Sequence, residues 1–171
     1  MRPKTIAIVA ATVDGKIARN DHELVRWTSP EDKEFFRSET KRIGAMILGK
    51  RTFDTFPGPL PGRLHVIMTR KLDGLSNTNP FVRFTDQTPA QILESLGSEG
   101  MQEVVIAGGS TIYTLFLKEK LLDELVITIE PKIFGAGVSL FSESCEHTLA
   151  LQSQRMLNAN SILLHYSIIY S

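Results

Sequence analysis

The sequence predicts an α/β fold: a mostly parallel central sheet with helices on both faces and a C-terminal antiparallel hairpin. Three observations carry that prediction. Short apolar runs alternate with helical segments along most of the chain. The runs are hydrophobic residue after residue, as strands covered on both faces are. The last two runs are separated by a turn signal alone, which suits a hairpin and not a helical crossover.

Each element has its own signal. Thr5 to Ala11 is a buried-strand run of Ile, Val and Ala, broken by Asp14-Gly15. Residues 15–26 read as an exposed loop. A helix spans Pro30 to Ile43. Ser29 is a good N-cap, Pro30 suits the first helical position, and Asp32 stands where a capping box places its acid. Ala45 to Leu48 is a second strand, closed by Gly49. Lys50 to Thr55 form a short helix before the breaker Pro57-Gly58-Pro59-Leu60-Pro61-Gly62. Leu64 to Thr69 is a third strand and Phe81 to Thr85 a weaker fourth. Thr88-Pro89 starts a helix that runs through Leu96. Glu103 to Ala107 is a fifth strand, and Gly108-Gly109 opens a helix reaching Lys118. Leu125 to Glu130 is a sixth strand. Leu149 to Ser171 forms the hairpin around Asn158-Ala159-Asn160. No repeat, low-complexity tract or linker composition interrupts residues 1–171, so a single domain is expected.

The totals exclude several classes. Nineteen basic residues balance 19 acidic ones, so neither nucleic acid nor an anionic membrane is the expected partner. Cys145 is the one cysteine, which rules out a disulfide framework and a cysteine metal site. His22, His65, His147 and His165 show no ligand-like spacing, so no metal is expected. The apolar run at the start is too short for a signal peptide, and no stretch approaches a membrane span. A soluble, cytoplasmic protein is expected.

Four features bear chemistry. Residues 32, 36, 40 and 43 share one helix face, so Asp32 lies beside Phe36, Thr40 and Ile43. A carboxylate there is costly unless a cation or a hydrogen-bond donor meets it. Capping and substrate binding are both open to it. Gly108-Gly109 sits between a buried strand and a helix start, where backbone amides attract phosphate, with Ser110 and Thr111 beside it. A tight turn without ligand is the plainer alternative. Gly49-Lys50-Arg51-Thr52 repeats the pattern after the second strand, and Thr69-Arg70-Lys71 adds positive charge after the third. Ligands of open α/β sheets sit at such strand ends, and together these suit an extended nucleotide such as NADPH. Solvated loop cations are the alternative. Arg63 follows the rigid Pro59-Leu60-Pro61-Gly62 turn, either as a bidentate carboxylate clamp or as an ordinary surface arginine.

Taken together, these pieces resemble the dihydrofolate reductase family along nearly the whole chain. The matching residues are Trp27, Pro30, Asp32, Phe36 and Thr40; Met46 to Phe53; Pro59 to Arg63; Ile106 to Tyr113; and Ile127-Thr128. The resemblance implies a dihydrofolate-reductase-like fold and an NADPH-dependent reduction of dihydrofolate to tetrahydrofolate. It implies that Asp32 is the acid contacting the pterin amidine, with Thr128 bonded to it and Trp27 behind the substrate. Phe36 and Leu60 match apolar walls, Arg63 the arginine for the substrate's carboxylate, and Tyr113 a tyrosine near the nicotinamide. Gly49, Lys50, Arg51 and Thr52, with Thr69 and Arg70, match phosphate contacts of the cofactor. Gly108, Gly109, Ser110, Thr111 and Ile112 match its pyrophosphate turn. Ala11 and the loop Asp14 to Arg26, which holds Ile17, match the strand end and the mobile loop over the nicotinamide. Two stretches, Ala10 to Ala18 and Phe134 to Phe141, look more like the riboflavin-pathway pyrimidine reductase branch of the same superfamily. That branch reduces an open ribose with NADPH, and it stands as the alternative enzyme. A nucleotide- or pterin-binding module without turnover is the alternative outside catalysis. The resemblance is compatible with a monomer or a homodimer.

Overall fold

The computed structural model describes residues 1–75 and 78–170. Among these residues the strands are β1 (Lys4–Thr12), β2 (Lys16–Ala18), β3 (Ala45–Gly49), β4 (Leu64–Met68), β5 (Val82–Thr85), β6 (Glu103–Ile106), β7 (Glu124–Glu130), β8 (Val138–Ser139), β9 (Thr148–Met156) and β10 (Ile162–Ile169). The helices are α1 (Pro30–Ile43), α2 (Lys50–Asp54), α3 (Pro89–Ser98) and α4 (Ser110–Lys118). Ser171, the last residue of the expected hairpin, lies outside the described residues.

Eight strands form one sheet in the order β5-β4-β3-β6-β1-β7-β10-β9. Every pairing from β5 to β7 is parallel. β10 then runs antiparallel to β7, and β9 antiparallel to β10. The expected hairpin is therefore present at the sheet edge. Asn158 shapes its turn, its side-chain oxygen accepting from the amides of Asn160 and Ser161 at 2.9 and 2.8 Å.

Strand alternation sorts the core into two layers. Ala45 and Ile47 of β3 join Val104 and Ile106 of β6 against Ile92, Leu93 and Leu96 of α3 and Phe116 and Leu117 of α4. Met46 and Leu48 join Ile6, Ile8 and Val105 on the opposite face, beneath Phe35, Phe36 and Ile43 of α1. Apolar burial on both faces is what a parallel sheet requires.

The helix boundaries follow from local chemistry. Ser29 caps α1, its hydroxyl accepting from the Asp32 amide at 3.3 Å, and Gly44 ends the helix at φ 85°, a conformation glycine adopts without a Cβ penalty. Thr88 and Gln91 make a complete capping box on α3.

One sequence expectation is corrected here. Residues 15–26 are not simply an exposed loop. Lys16–Ala18 form β2, half-buried and paired with β8. Asp14 supports this pairing, accepting from the amides of Phe134 and Gly135 at 3.2 and 2.7 Å. The Phe134–Phe141 stretch is thus the partner of the 14–18 segment. A three-residue strand is too short to show periodicity, which is why the pattern missed it.

Candidate active site

The site is built where the N-terminus of α1 meets the carboxyl end of β7. Strand alternation turns Val126 to the α1 face, and Thr128 and Glu130 follow at two-residue steps. Asp32 comes down from the first turn of α1 onto the same place. All three are buried, with Asp32 8%, Thr128 1% and Glu130 2% exposed. Thr128 and Thr28 stand beside the Asp32 carboxyl, where their hydroxyls favour its ionised form. Burial raises the Asp32 pKa, the two threonines pull against it, the Glu130 charge raises it further, and Lys33 lowers it; the net direction is up.

The expected capping box is only half present. Ser29 accepts from the Asp32 amide, but the Ser29 amide donates to Glu130 Oε1 at 2.8 Å and not to Asp32. Asp32 is therefore not used as the cap acid. Trp27 packs edge-on against Phe134 with ring centroids 5.1 Å apart. Its indole Nε1 is buried without a partner, a donor left over beside the site.

The apolar walls lie on the same face. Phe36 and Leu60 are half-buried against the layer that contains Leu48 and Ile67. Leu60 is held by a residue the sequence did not single out: its amide donates to Nε2 of buried His65 at 3.1 Å, and Nδ1 of that ring faces the Phe81 carbonyl at 3.2 Å. Arg63 departs from the surface-arginine alternative. It is 3% exposed, and it donates to the carbonyls of Pro61 and Arg37 at 3.2 and 3.1 Å and to the Thr40 hydroxyl. It holds the last turns of α1, and Nη2 takes none of these bonds.

The second half of the site is a pair of glycine turns. The Gly49 amide donates to the Gly108 carbonyl at 2.8 Å, so the ends of β3 and β6 are fastened side by side. Gly108 and Gly109 are joined by a cis peptide bond. A Cβ on Gly109 would stand 3.0 Å from Thr52 Oγ1, and one on Gly49 would stand 3.3 Å from the Ile112 side chain. The N-terminus of α4 has no side-chain cap; the Ile112 and Tyr113 amides donate to the Gly109 carbonyl at 2.9 and 3.1 Å, which leaves the Ser110 and Thr111 amides without a partner within the helix. Free amides, a close hydroxyl and backbone without Cβ atoms fit the pyrophosphate of a dinucleotide.

Other expected contacts are altered. The Ser110 hydroxyl donates to the Ser139 carbonyl at 2.7 Å, so it braces β8 and is not free for phosphate. Thr111 is exposed on the first turn of α4. Lys50 pairs with Asp54 at 2.6 Å, and Arg51 lies 3.4 Å from Asp21. Exposed pairs of this kind are worth only ~0.2–1 kcal/mol and yield readily to a phosphate. Thr69 and Arg70 follow β4, with the Thr69 hydroxyl turned to the Lys71 carbonyl at 3.3 Å. Tyr113 is buried beneath Gly108, and its hydroxyl reaches the Ile8 carbonyl at 3.3 Å. Burial raises its phenol pKa. Ala11 is fully buried with Tyr113 in the α3–α4 layer, so its methyl supports the site from below and does not line it. Ile17, on β2, packs on that same layer.

Two surface concavities, of about 380 and 450 Å³, are lined by Arg19, Lys132, Ile133 and Phe134 and by residues around Asp123; neither includes Asp32. The candidate site is thus assigned on chemistry and geometry and not on the size of a hollow. Among the described residues no cluster of acids, histidines or cysteines is arranged to hold a metal ion.

Comparisons with known proteins point to one family. A family model described as dihydrofolate reductase matches residues 4–160. The uncharacterised protein YwjB of Bacillus subtilis is 26% identical over 175 residues, covering 97% of this chain and 98% of its own. Dihydrofolate reductase type 9 of Escherichia coli is 30% identical over 108 residues, 62% of this chain and 59% of its own. A solved diaminohydroxyphosphoribosylaminopyrimidine deaminase/5-amino-6-(5-phosphoribosylamino)uracil reductase of Thermotoga maritima superposes with a TM-score of 0.79 at 21% identity, over 98% of this chain and 57% of that one. At that identity the likeness is one of fold.

Proposed function

Because this chain belongs to the dihydrofolate reductase family, we propose that it reduces 7,8-dihydrofolate to tetrahydrofolate with NADPH as hydride donor. Membership makes it an oxidoreductase of that family; the substrate and the residue roles are our own reading. The observation that carries it is the Asp32–Thr128 pair, a carboxylate and a hydroxyl buried together where α1 meets β7. A pterin amidine presents matching donors to such a pair.

Bound NADPH supplies the hydride. Asp32 stabilises the cationic pterin, which raises the share of substrate protonated at its imine nitrogen. Thr128 keeps the carboxylate aimed at the amidine. Trp27, Phe36 and Leu60 exclude water and hold the ring flat. Gly108, Gly109, Thr111, Ile112, Gly49 and Thr52 would hold the pyrophosphate, while Lys50, Arg51, Thr69 and Arg70 would neutralise the remaining phosphate charge. Ile17 of the 14–18 segment, with Ala11 and Tyr113 of the layer it packs on, would support the nicotinamide end. Arg63 offers Nη2 to a substrate carboxylate. We place the activity in one domain over residues 1–171, working as a monomer or homodimer in the cytoplasm. Among the described residues no helix is long and apolar enough to cross a membrane.

A second reading has its own support. The stretches Ala10–Ala18 and Phe134–Phe141, which resemble the pyrimidine reductase branch, lie together through the β2–β8 pairing, and Arg63 spends three donor bonds on its own chain, which weakens its reading as a clamp for a folate carboxylate. One assay separates them. NADPH absorbance is followed with dihydrofolate, and separately with 5-amino-6-ribosylamino-uracil phosphate. Loss with dihydrofolate supports the first reading, loss only with the pyrimidine supports the second, and loss with neither replaces both with a binding module.

A further inference from the structure

We propose that Glu130 is a positioning carboxylate: it caps α1 from β7 and so leaves the Asp32 carboxylate free to meet the substrate. This rests on the reading that Asp32 meets the substrate. In a complete capping box the acid three residues past the cap reaches back to the cap amide. Asp32 occupies that position and does not do so. The Ser29 amide and the Ser29 hydroxyl both donate to Glu130 Oε1, each at 2.8 Å. On the other side, the Ser161 hydroxyl donates to Glu130 Oε2 at 2.6 Å. Both oxygens act as acceptors, as an ionised carboxylate's do.

The connection to Asp32 is short. Ser29 Oγ donates to Glu130 and accepts from the Asp32 amide at 3.3 Å. One hydroxyl thus links the two acids through the helix cap. On β7 the same face divides the work: Thr128 meets Asp32, and Glu130, two residues on, meets the cap. Without Glu130, Asp32 becomes the acid placed to satisfy the Ser29 amide, which turns it away from Thr128. Glu130 also adds a second negative charge beside the site, which favours a proton on Asp32 or a cation bound against it. The other charged groups around the pair are few. Lys33 of α1 acts on Asp32 from the exposed side, and Glu31 accepts from Asn158 at 3.1 Å. Just past β1, Asp14 is turned to the Phe134 and Gly135 amides. The hairpin turn contributes the uncharged Ser161.

The test follows the Asp32 carboxyl directly. The full chain is labelled with carboxyl-13C aspartate, and the Asp32 signal is assigned by its absence in Asp32→Asn. Glu130→Gln keeps an acceptor for the cap and removes the charge. The Asp32 titration midpoint is expected to fall in Glu130→Gln, and the pH profile of NADPH oxidation to shift in the same direction. Glu130→Ala, which removes the acceptor too, is expected to lose about 1–8 °C in melting temperature. An Asp32 midpoint that stays put while melting falls reduces Glu130 to a structural residue and overturns the proposal. Should Glu130→Gln fail to fold, amide exchange at Ser29 decides. Equal protection in wild type and Asp32→Ala supports Glu130 as the cap partner, and lost protection in Asp32→Ala overturns it. No turnover with dihydrofolate defeats the substrate reading alone, since the midpoint and the exchange rate are read without substrate.

Discussion

Replacing Asp32 by Asn is expected to raise the melting temperature and to remove most turnover at neutral pH. The structure sets both signs. Asp32 is 8% exposed, and burial raises its pKa above the ordinary 3.8 by more than Thr128 and Thr28 pull it back. A carboxyl with a raised folded pKa favours folding at low pH. That contribution is complete below the unfolded value and is lost as pH rises through the folded one. Above both values the ionised side chain costs stability relative to a neutral isostere, which Asn is. Replacements that relieve a functional site of such strain commonly stabilise by ~0.5–2 kcal/mol. A chain of this size gains roughly 2–4 °C per kcal/mol, so the expected rise is about 1–8 °C.

Turnover moves the other way. A positioned proton-handling group contributes about 10²–10⁴-fold, equivalent to roughly 2.7–5.5 kcal/mol of barrier. Thermal melts at pH 5 and pH 8 and NADPH oxidation from pH 5 to 9 read both effects. The stabilising difference is expected to be larger at pH 8. An Asn variant that melts below wild type at both values refutes the burial argument. One that turns over dihydrofolate at the wild-type rate across the range refutes the role of Asp32.

Three further outcomes are expected. Arg63→Leu strips donors from the Arg37 carbonyl and Thr40, so it should cost about 1–3 kcal/mol of stability. It should also weaken dihydrofolate binding with little change for NADPH; equal folate affinity by calorimetry removes the clamp from Arg63. Gly109→Ala brings a Cβ within 3.0 Å of Thr52 Oγ1 and is expected to weaken NADPH about tenfold, near 1.4 kcal/mol. Unchanged NADPH affinity in a fluorescence titration moves the pyrophosphate elsewhere. Burial holds the His65 pKa below 6.5, where its Nε2 accepts from Leu60. That contribution is full above 6.5 and is lost as pH falls toward the folded value, so melting should drop between pH 6.5 and 5. His65→Gln should flatten that slope; an identical slope shows that another group governs it.

The fold was legible because its signals are long or doubled. Each strand from β1 to β7 in the main sheet is an apolar run beside a crossover helix or a glycine stop, and the α1 and α3 caps are written as Ser29-Pro30 and Thr88-Pro89. The glycine turns were legible as residues but not as a contact. Nothing local says that the Gly49 amide meets the Gly108 carbonyl, because that bond depends on β3 and β6 pairing across the 53 residues (50–102) between them. The same limit hid β2 and β8, which are only three and two residues long. Ser110 and Arg63 were readable as polar groups at suggestive places. That each spends its donors on a nearby carbonyl is a fact of tertiary geometry.

Asp32 and Glu130 show where local reading stops and parity takes over. The helix period placed Asp32 on the buried side of α1 from sequence alone. The matching half lies on β7, where Ile127 and Ile129 face α3 and α4 while Val126, Thr128 and Glu130 face α1. A one-residue slip of β7 would exchange the two sets. Isoleucines would then meet a buried carboxylate, and Thr128 and Glu130 would enter an apolar layer. Neither arrangement is tolerable without compensating partners. The β1–β7 register, with Ala10 opposite Thr128 and Thr12 opposite Glu130, is therefore fixed by polar residues as firmly as by apolar ones. The chemistry of the cleft and the alignment of the central sheet are one constraint, so substitutions that loosen β7 should disturb Asp32 without touching it.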